Sequence, residues 1–247
     1  SLAALVPWMI LLPRAWSRRA AEARVVDDMP SSGSLGILWR SPTARSIALI
    51  FSVSGVSAYS VFALLPAVLV ERAGSSPGEA ALGLTLFSLM GVPMSLTIPL
   101  LAVRRGWSAR LVVLAAVAGL SGFSGLIFLP ELSPLLWSVL AALGTLSFSM
   151  ALTLIGARTI THQMATQLSV FVNTFGYIVA ALGPVLTGLL REITGDWQAS
   201  LWLLALLSIL ALPAAWVLAR EQTVEAELAG ATHSDATTLE TAEGRRK

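Results

Sequence analysis

Residues 166–191 read TQLSVFVNTFGYIVAALGPVLTGLLR, and this stretch decides the fold. Wound at about 100° per residue, it places Thr166, Ser169, Asn173, Gly176, Tyr177, Ala180, Gly183, Pro184, Thr187, Gly188 and Arg191 on one face. Leu168, Phe171, Phe175, Ile178, Leu182, Val185 and Leu189 fall on the other. One face is small and polar; the other is bulky and apolar. The run between its charged ends is long enough to cross a bilayer core of about 30 Å. The bulky face suits lipid, and the small face suits neighbouring helices or a water-filled path.

Composition agrees. Of 247 residues, 55% are hydrophobic and 12% charged, too little polar surface to cover a soluble globule of that length. The chain reads as an all-α integral membrane protein. Its formal net charge of +2 does not point to nucleic acid, because the arginines stand in short clusters between apolar runs rather than along one basic surface. With no Cys in the chain, disulfides and thiolate metal sites are excluded. His162 and His233 alone do not make a metal centre, and no cofactor is expected.

Outward from the central stretch, six apolar runs follow one another at about 44–70, 79–103, 109–129, 134–157, 166–190 and 198–219. They predict a six-helix transmembrane bundle over 44–220. Residues 13–43 are polar and read as a linker, with a short amphipathic helix around 16–26. Residues 1–12 are apolar but too short to span. Followed by Arg14, Arg18 and Arg19, they read as the end of a truncated transmembrane helix; a signal peptide would carry its charge ahead of the apolar run. Residues 221–247, rich in Thr, Ala and Glu, read as a disordered tail.

Loop charges set an orientation. The linker carries Arg14, Arg18, Arg19, Arg24, Arg40 and Arg45; the second and fourth loops carry Arg104, Arg105, Arg110 and Arg158; the tail begins at Arg220. The opposite side holds Arg72 and Arg191 among Glu71, Glu79, Glu131, Glu192 and Asp196. By the excess of cytoplasmic Lys and Arg, the linker, those two loops and the C-terminus are expected in the cytoplasm.

Two more helices share the two-faced pattern. Ala142, Thr145, Ser149, Thr153 and Gly156 form one stripe, and Ala48, Ser52, Gly55, Tyr59, Ala63 and Pro66 form another. The last helix shows no such stripe. The first, fourth and fifth helices are therefore expected to line a path, with the sixth peripheral. Small residues also permit close helix packing, which is the competing reading for any single Ser or Thr. It is weaker for Asn173 and Tyr177, which are larger and harder to leave unpaired in hydrocarbon. The candidate substrate-binding residues are Asn173, Tyr177, Tyr59, Ser52, Ser88 and Ser149. Gly176, Gly183, Pro184 and Gly188 are the candidates for gating and helix packing.

The runs YSVFALLPAVLVERAGSSPGEAALGLTLFSLMGVPMSLTIPLLA at 59–102, SMALTLIGAR at 149–158 and GYIVAALGPVLTGLLREITGDW at 176–197 resemble the second half of a major facilitator superfamily transporter. The nearer resemblance is to its cyanate and 2-nitroimidazole transporter family. Residues 1–12 match the end of family helix six, and the six runs match helices seven to twelve. Gly176, Tyr177, Ala180, Gly183, Pro184 and Gly188 carry the most specific part of the likeness. The sequence departs from the superfamily where Ala102–Trp107 keeps the Arg and Gly of a loop motif but not its acidic residue, and where Ser88 and Asn173 stand in place of Gln. The resemblance implies a secondary transporter in a bacterial inner membrane, working by alternating access between two bundles. This chain would be the C-terminal half, its partners the lipid bilayer, a missing N-terminal half and a small polar or anionic solute, cyanate- or nitroimidazole-like or a drug-like organic compound. The central cavity would be lined by the residues matching helices seven, eight, ten and eleven.

Two other classes compete. Gly122, Phe123, Ser124 and Gly125 form the G-x-S-G of a rhomboid-like intramembrane serine protease, but that mechanism needs a His within a later helix. His162 lies in a loop and His233 in the tail, so no enzyme is expected. A non-transporting receptor or scaffold would use the polar stripes only for packing. His162 reads as a solvated loop residue, or as a gate titrating near neutral pH. Arg158 and Arg191 read as topology anchors, able to draw an anion to the mouth. No helix carries Asp, Glu, Lys or His at mid-membrane depth, so a proton-coupling group is expected in the other half.

Overall fold

The computed structural model describes residues 36–230. The expectations for residues 1–35 and 231–247, including the truncated helix, most of the linker and His233, lie outside them. Six helices are long and apolar enough to cross a membrane: α1 Pro42–Ala73, α2 Pro77–Ala102, α3 Trp107–Phe128, α4 Pro134–Ala157, α5 His162–Thr194 and α6 Gln198–Leu218. This is the predicted all-α membrane bundle, with α1 and α5 reaching a turn beyond the apolar runs.

The ends of the helices follow from local chemistry. At the start of α1, Ser41 Oγ accepts the Ala44 N–H at 3.1 Å and Pro42 fixes φ in the first turn. Ser76 and Glu79 form a reciprocal capping box on α2. Thr161 caps α5 through the Met164 N–H. Gly74 and Gly195 close α1 and α5 at φ of 62° and 76°, a conformation that favours glycine.

α1 is the centre of the bundle. Of its most apolar stretch 72% is buried, against 17% for α2 and 33% for α5. α1 packs most extensively against α5, and glycine makes that contact possible. A Cβ at Gly55 would lie 2.8 Å from the Ala180 Cβ. One at Gly176 would lie 2.2 Å from the Phe51 ring, and one at Gly183 2.7 Å from Ser60 Oγ. Leu168, Phe171, Val172, Gly176, Ala180, Gly183 and Thr187 are the buried face of α5. The predicted division of this helix is therefore rotated. Ile178, Leu182, Val185 and Leu189 are exposed as expected, but Leu168 and Phe171 turn inward, where Phe171 and Phe175 meet Trp39 edge-on at 5.0 Å.

α6 departs from expectation. It carries a buried stripe of Ser200, Leu201, Leu204, Ala205 and Ser208, which seats it against α3. Large leucines on its lipid side conceal that stripe in a plain reading. α2 is instead the least buried span.

Residues 221–230 correct the reading of the whole tail as disordered. Residues 224–230 are helical, and Val224 is fully buried with its N–H on Arg158 O at 2.9 Å. The segment is held because its carboxylates meet helix N-termini, the positive ends of helix dipoles. Glu227 accepts from Thr43 N at 3.0 Å and Thr43 Oγ1 at 2.7 Å, and from Ser41 Oγ, at the start of α1. Glu225 accepts from Ile160 N at 2.7 Å and Thr161 N at 3.0 Å, ahead of α5. Burial pushes the Glu225 carboxyl up, but these N–H donors outweigh it and hold its pKa below the usual glutamate value.

Candidate functional site

Two spans are interrupted where they approach the long central helix α1. α2 is interrupted at Met90, between Pro77–Leu89 and Gly91–Ala102. α4 is interrupted between Pro134–Gly144 and Ser147–Ala157, where the Thr145 and Leu146 N–H groups reach back only three residues, to Ala142 O and Leu143 O. Pro66 sits inside α1. Glycine and proline are the expected causes of such breaks.

A cavity of about 250 Å³ opens between α1 and the breaks in α2 and α4. α1 supplies Gly55, Ala58, Tyr59 and Phe62; α2 supplies Phe87, Ser88, Gly91 and Met94; α4 supplies Thr145, Phe148 and Ser149. Its lining holds four hydroxyls and four aromatic rings, and no charged side chain. Phe62 and Phe87 meet edge-to-face with centroids 5.3 Å apart, closing one wall. Phe148 stacks on Phe51 at 4.7 Å, and Phe51 meets Tyr177 edge-on at 5.2 Å, so that wall is braced from α5. Hydroxyls that can donate or accept beside aromatic faces suit a small planar or polar solute.

Of the residues singled out in the sequence, the structure brings Tyr59, Ser88 and Ser149 together on this lining. Ser88 donates to Leu84 O at 2.8 Å within its own helix, which leaves its oxygen free to accept. Tyr177 stands outside the cavity, behind Phe51. Asn173 is also apart: its Nδ2 donates to Ser169 O at 2.8 Å and to Ser169 Oγ at 3.2 Å. Ser52 is turned into the bundle, 3% exposed, and donates to Ala48 O at 2.7 Å. α2 joins α1 and α4 in this lining, as the family resemblance implies, and no residue of α5 is among its lining residues. Gly176 and Gly183 are points of close helix approach, whereas Gly188 has open space where a Cβ would stand. Pro184 lies inside α5, half-buried.

Phe62, Phe87, Met94 and Phe148 were missed from the sequence. Phe148 stands three residues beyond Thr145 and three before Ala151, on the flank of the polar stripe, so helical spacing alone could have found it. Ser124, of the G-x-S-G, lies in the last turns of α3, while His162 opens α5. These are opposite ends of the bundle, because Glu221 binds the Gly106 N–H ahead of α3 while its neighbour Glu225 binds Ile160 and Thr161 ahead of α5. Ser124 of that motif and His162, the histidine among the described residues, therefore do not pair.

No family model matches the chain, and no solved structure matches it. Curated relatives do. The chain is 32% identical to the 2-nitroimidazole transporter of Escherichia coli (strain K12) over 178 residues, 70% of this chain and 44% of the relative. It is 32% identical to the cyanate transport protein CynX of the same strain, covering 63% of the chain and 40% of the relative. It is 30% identical to the uncharacterized transporter YycB of Bacillus subtilis (strain 168), covering 68% and 42%. The chain thus spans less than half the length of each. With its six apolar spans and these transporters as relatives, the chain resembles one half of a major facilitator superfamily transporter and is similar to the cyanate and 2-nitroimidazole transporters.

Proposed function

We propose that this chain is the C-terminal half of a secondary transporter that moves a small polar or anionic solute across a bacterial inner membrane by alternating access. The observation that carries the reading is the cavity between α1 and the breaks in α2 and α4, hydroxyl-lined and walled by aromatic rings. The names of the relatives, a cyanate transport protein and a 2-nitroimidazole transporter, supply the size and polarity of the solute. α2, with little of its surface covered, offers the face against which a preceding six-helix half would rock. The excess of arginine at the ends where α1, α3 and α5 begin supports a cytoplasmic side for those ends and for residues 221–230. A proton-coupling carboxylate, if transport is proton-driven, belongs to the other half.

Reconstitution tests the reading. Liposomes holding residues 1–247 alone take up neither cyanate nor 2-nitroimidazole, and liposomes holding the chain together with its preceding half take up at least one. Uptake by the chain alone overturns the two-bundle reading in favour of a homodimer of six-helix units.

A further inference from the structure

We propose that a second cavity, at the corner where α2 turns into α3, binds a phosphate-bearing anion, with a phospholipid headgroup and free phosphate as the two sources of that chemistry. This cavity of about 320 Å³ is walled by Arg104, Arg105 and Ser108, by Arg158 beyond α4, and by Glu221. Ala102 ends α2, Trp107 starts α3 and Ala157 ends α4, so the cavity lies where the chain leaves hydrocarbon. Lipid phosphates lie at that depth, and basic pockets between membrane helices hold them.

Positive charge is in excess there. Glu221 is already engaged, accepting the Gly106 N–H and standing 3.5 Å from Arg105 Nε. Arg104 makes no ion pair among the described residues. Arg158 is 7% exposed, yet its guanidinium donates only to neutral groups, Leu218 O at 3.0 Å and Ser108 Oγ at 3.5 Å. Burial pulls its pKa below the ordinary arginine value, opposed by Glu221 and Glu227 acting through space. An arginine keeps its charge regardless, so a buried cation is left without a contacting anion. α3 adds to the excess, since its first turn holds Arg110 and no acid of its own, and the acid that meets its positive end is Glu221, already counted. Guanidinium forks and the first N–H groups of a helix are the donors that phosphate oxygens accept best.

The experiment uses the full chain in maltoside micelles, with unfolding followed by tryptophan fluorescence. Phosphatidylglycerol raises Tm by several degrees more than phosphatidylcholine does if a lipid is the source. Inorganic phosphate raises Tm more than chloride at equal ionic strength if the free anion is. Either result supports the site when Arg104→Gln/Arg105→Gln abolishes the ligand-dependent gain and Arg45→Gln, an exposed arginine at the same end, retains it. These variants are preferred to Arg158→Gln, whose burial threatens folding. No gain from either anion, a gain that survives the double substitution, or a gain lost equally in Arg45→Gln overturns the proposal.

Discussion

Arg72, at the end of α1, holds both carboxylate oxygens of Asp196 from one guanidinium nitrogen, at 2.9 and 2.7 Å. Its other terminal nitrogen donates to Ile127 O at 3.1 Å, so α1, α3 and the α5–α6 connection meet at one side chain. Next to it Arg191 pairs with Glu71 at 2.9 Å and lies over the Trp197 ring at 5.2 Å.

This pair sets a pH dependence. The Arg72 hydrogen bond holds the Asp196 carboxyl below the usual aspartate range, helped by the Trp197 N–H and the Arg191 charge against partial burial. A carboxylate with a depressed folded pKa stabilises fully above its unfolded value of about 3.9 and ceases to as pH falls through the folded value. Asp196→Asn should therefore lower Tm in detergent at pH 7 and at pH 5 alike. The gap to wild type should close only below about pH 4; a gap already closed at pH 5 would show that the ion pair is not its source.

Glycine substitutions should separate packing from open surface. Gly176→Ala drives a methyl group to 2.2 Å from a Phe51 ring that is itself stacked on Phe148, and Gly183→Ala meets Ser60 Oγ and Val56 O at 2.7 and 2.8 Å. Overpacking of this kind costs about 1–3 kcal/mol. Both should lower Tm by several degrees, while Gly188→Ala, with open space around it, should leave Tm unchanged.

The two glutamate caps beyond α6 should matter to helices far from them in sequence. Glu227→Gln and Glu225→Gln each remove a charge from a helix N-terminus, with a loss of about 1 kcal/mol. Hydrogen exchange should rise in the first turns of α1 for the former and of α5 for the latter. Unchanged exchange in both would place the segment on the surface without a stabilising role.

Tyr59→Phe and Ser149→Ala remove hydroxyls from the cavity lining without removing bulk. In the complete transporter each should weaken apparent solute affinity, by up to about tenfold for 1.4 kcal/mol lost. Asn173→Ala should lower Tm with affinity unchanged, because its amide nitrogen is held by Ser169 and it stands apart from the cavity lining. The reverse pattern would move the site toward α5.

The bundle was legible because a membrane span needs only length and apolarity, and the six runs supply both. Faces were harder. On α5 the sequence separates small from bulky residues, but Phe171 packs inward against Trp39 while Tyr177 faces out, since aromatic residues fill helix gaps as readily as they meet lipid. Ser88 and Ser149 could be named but not their partners in the lining, because Phe62, Phe87 and Phe148 carry no polar signal. The docked segment after α6 escaped for a different reason: Glu225 and Glu227 look solvated until the helix N-termini they meet are known.

That last contact also fixes an order of events during synthesis. Glu227 completes the first turn of α1 from 184 residues downstream of Thr43. The side chain that completes the first of the six spans is synthesised only after all six have been, so until then α1 relies on its own Ser41 cap. Closure of the bundle at this end is consequently one of the last steps in its biogenesis.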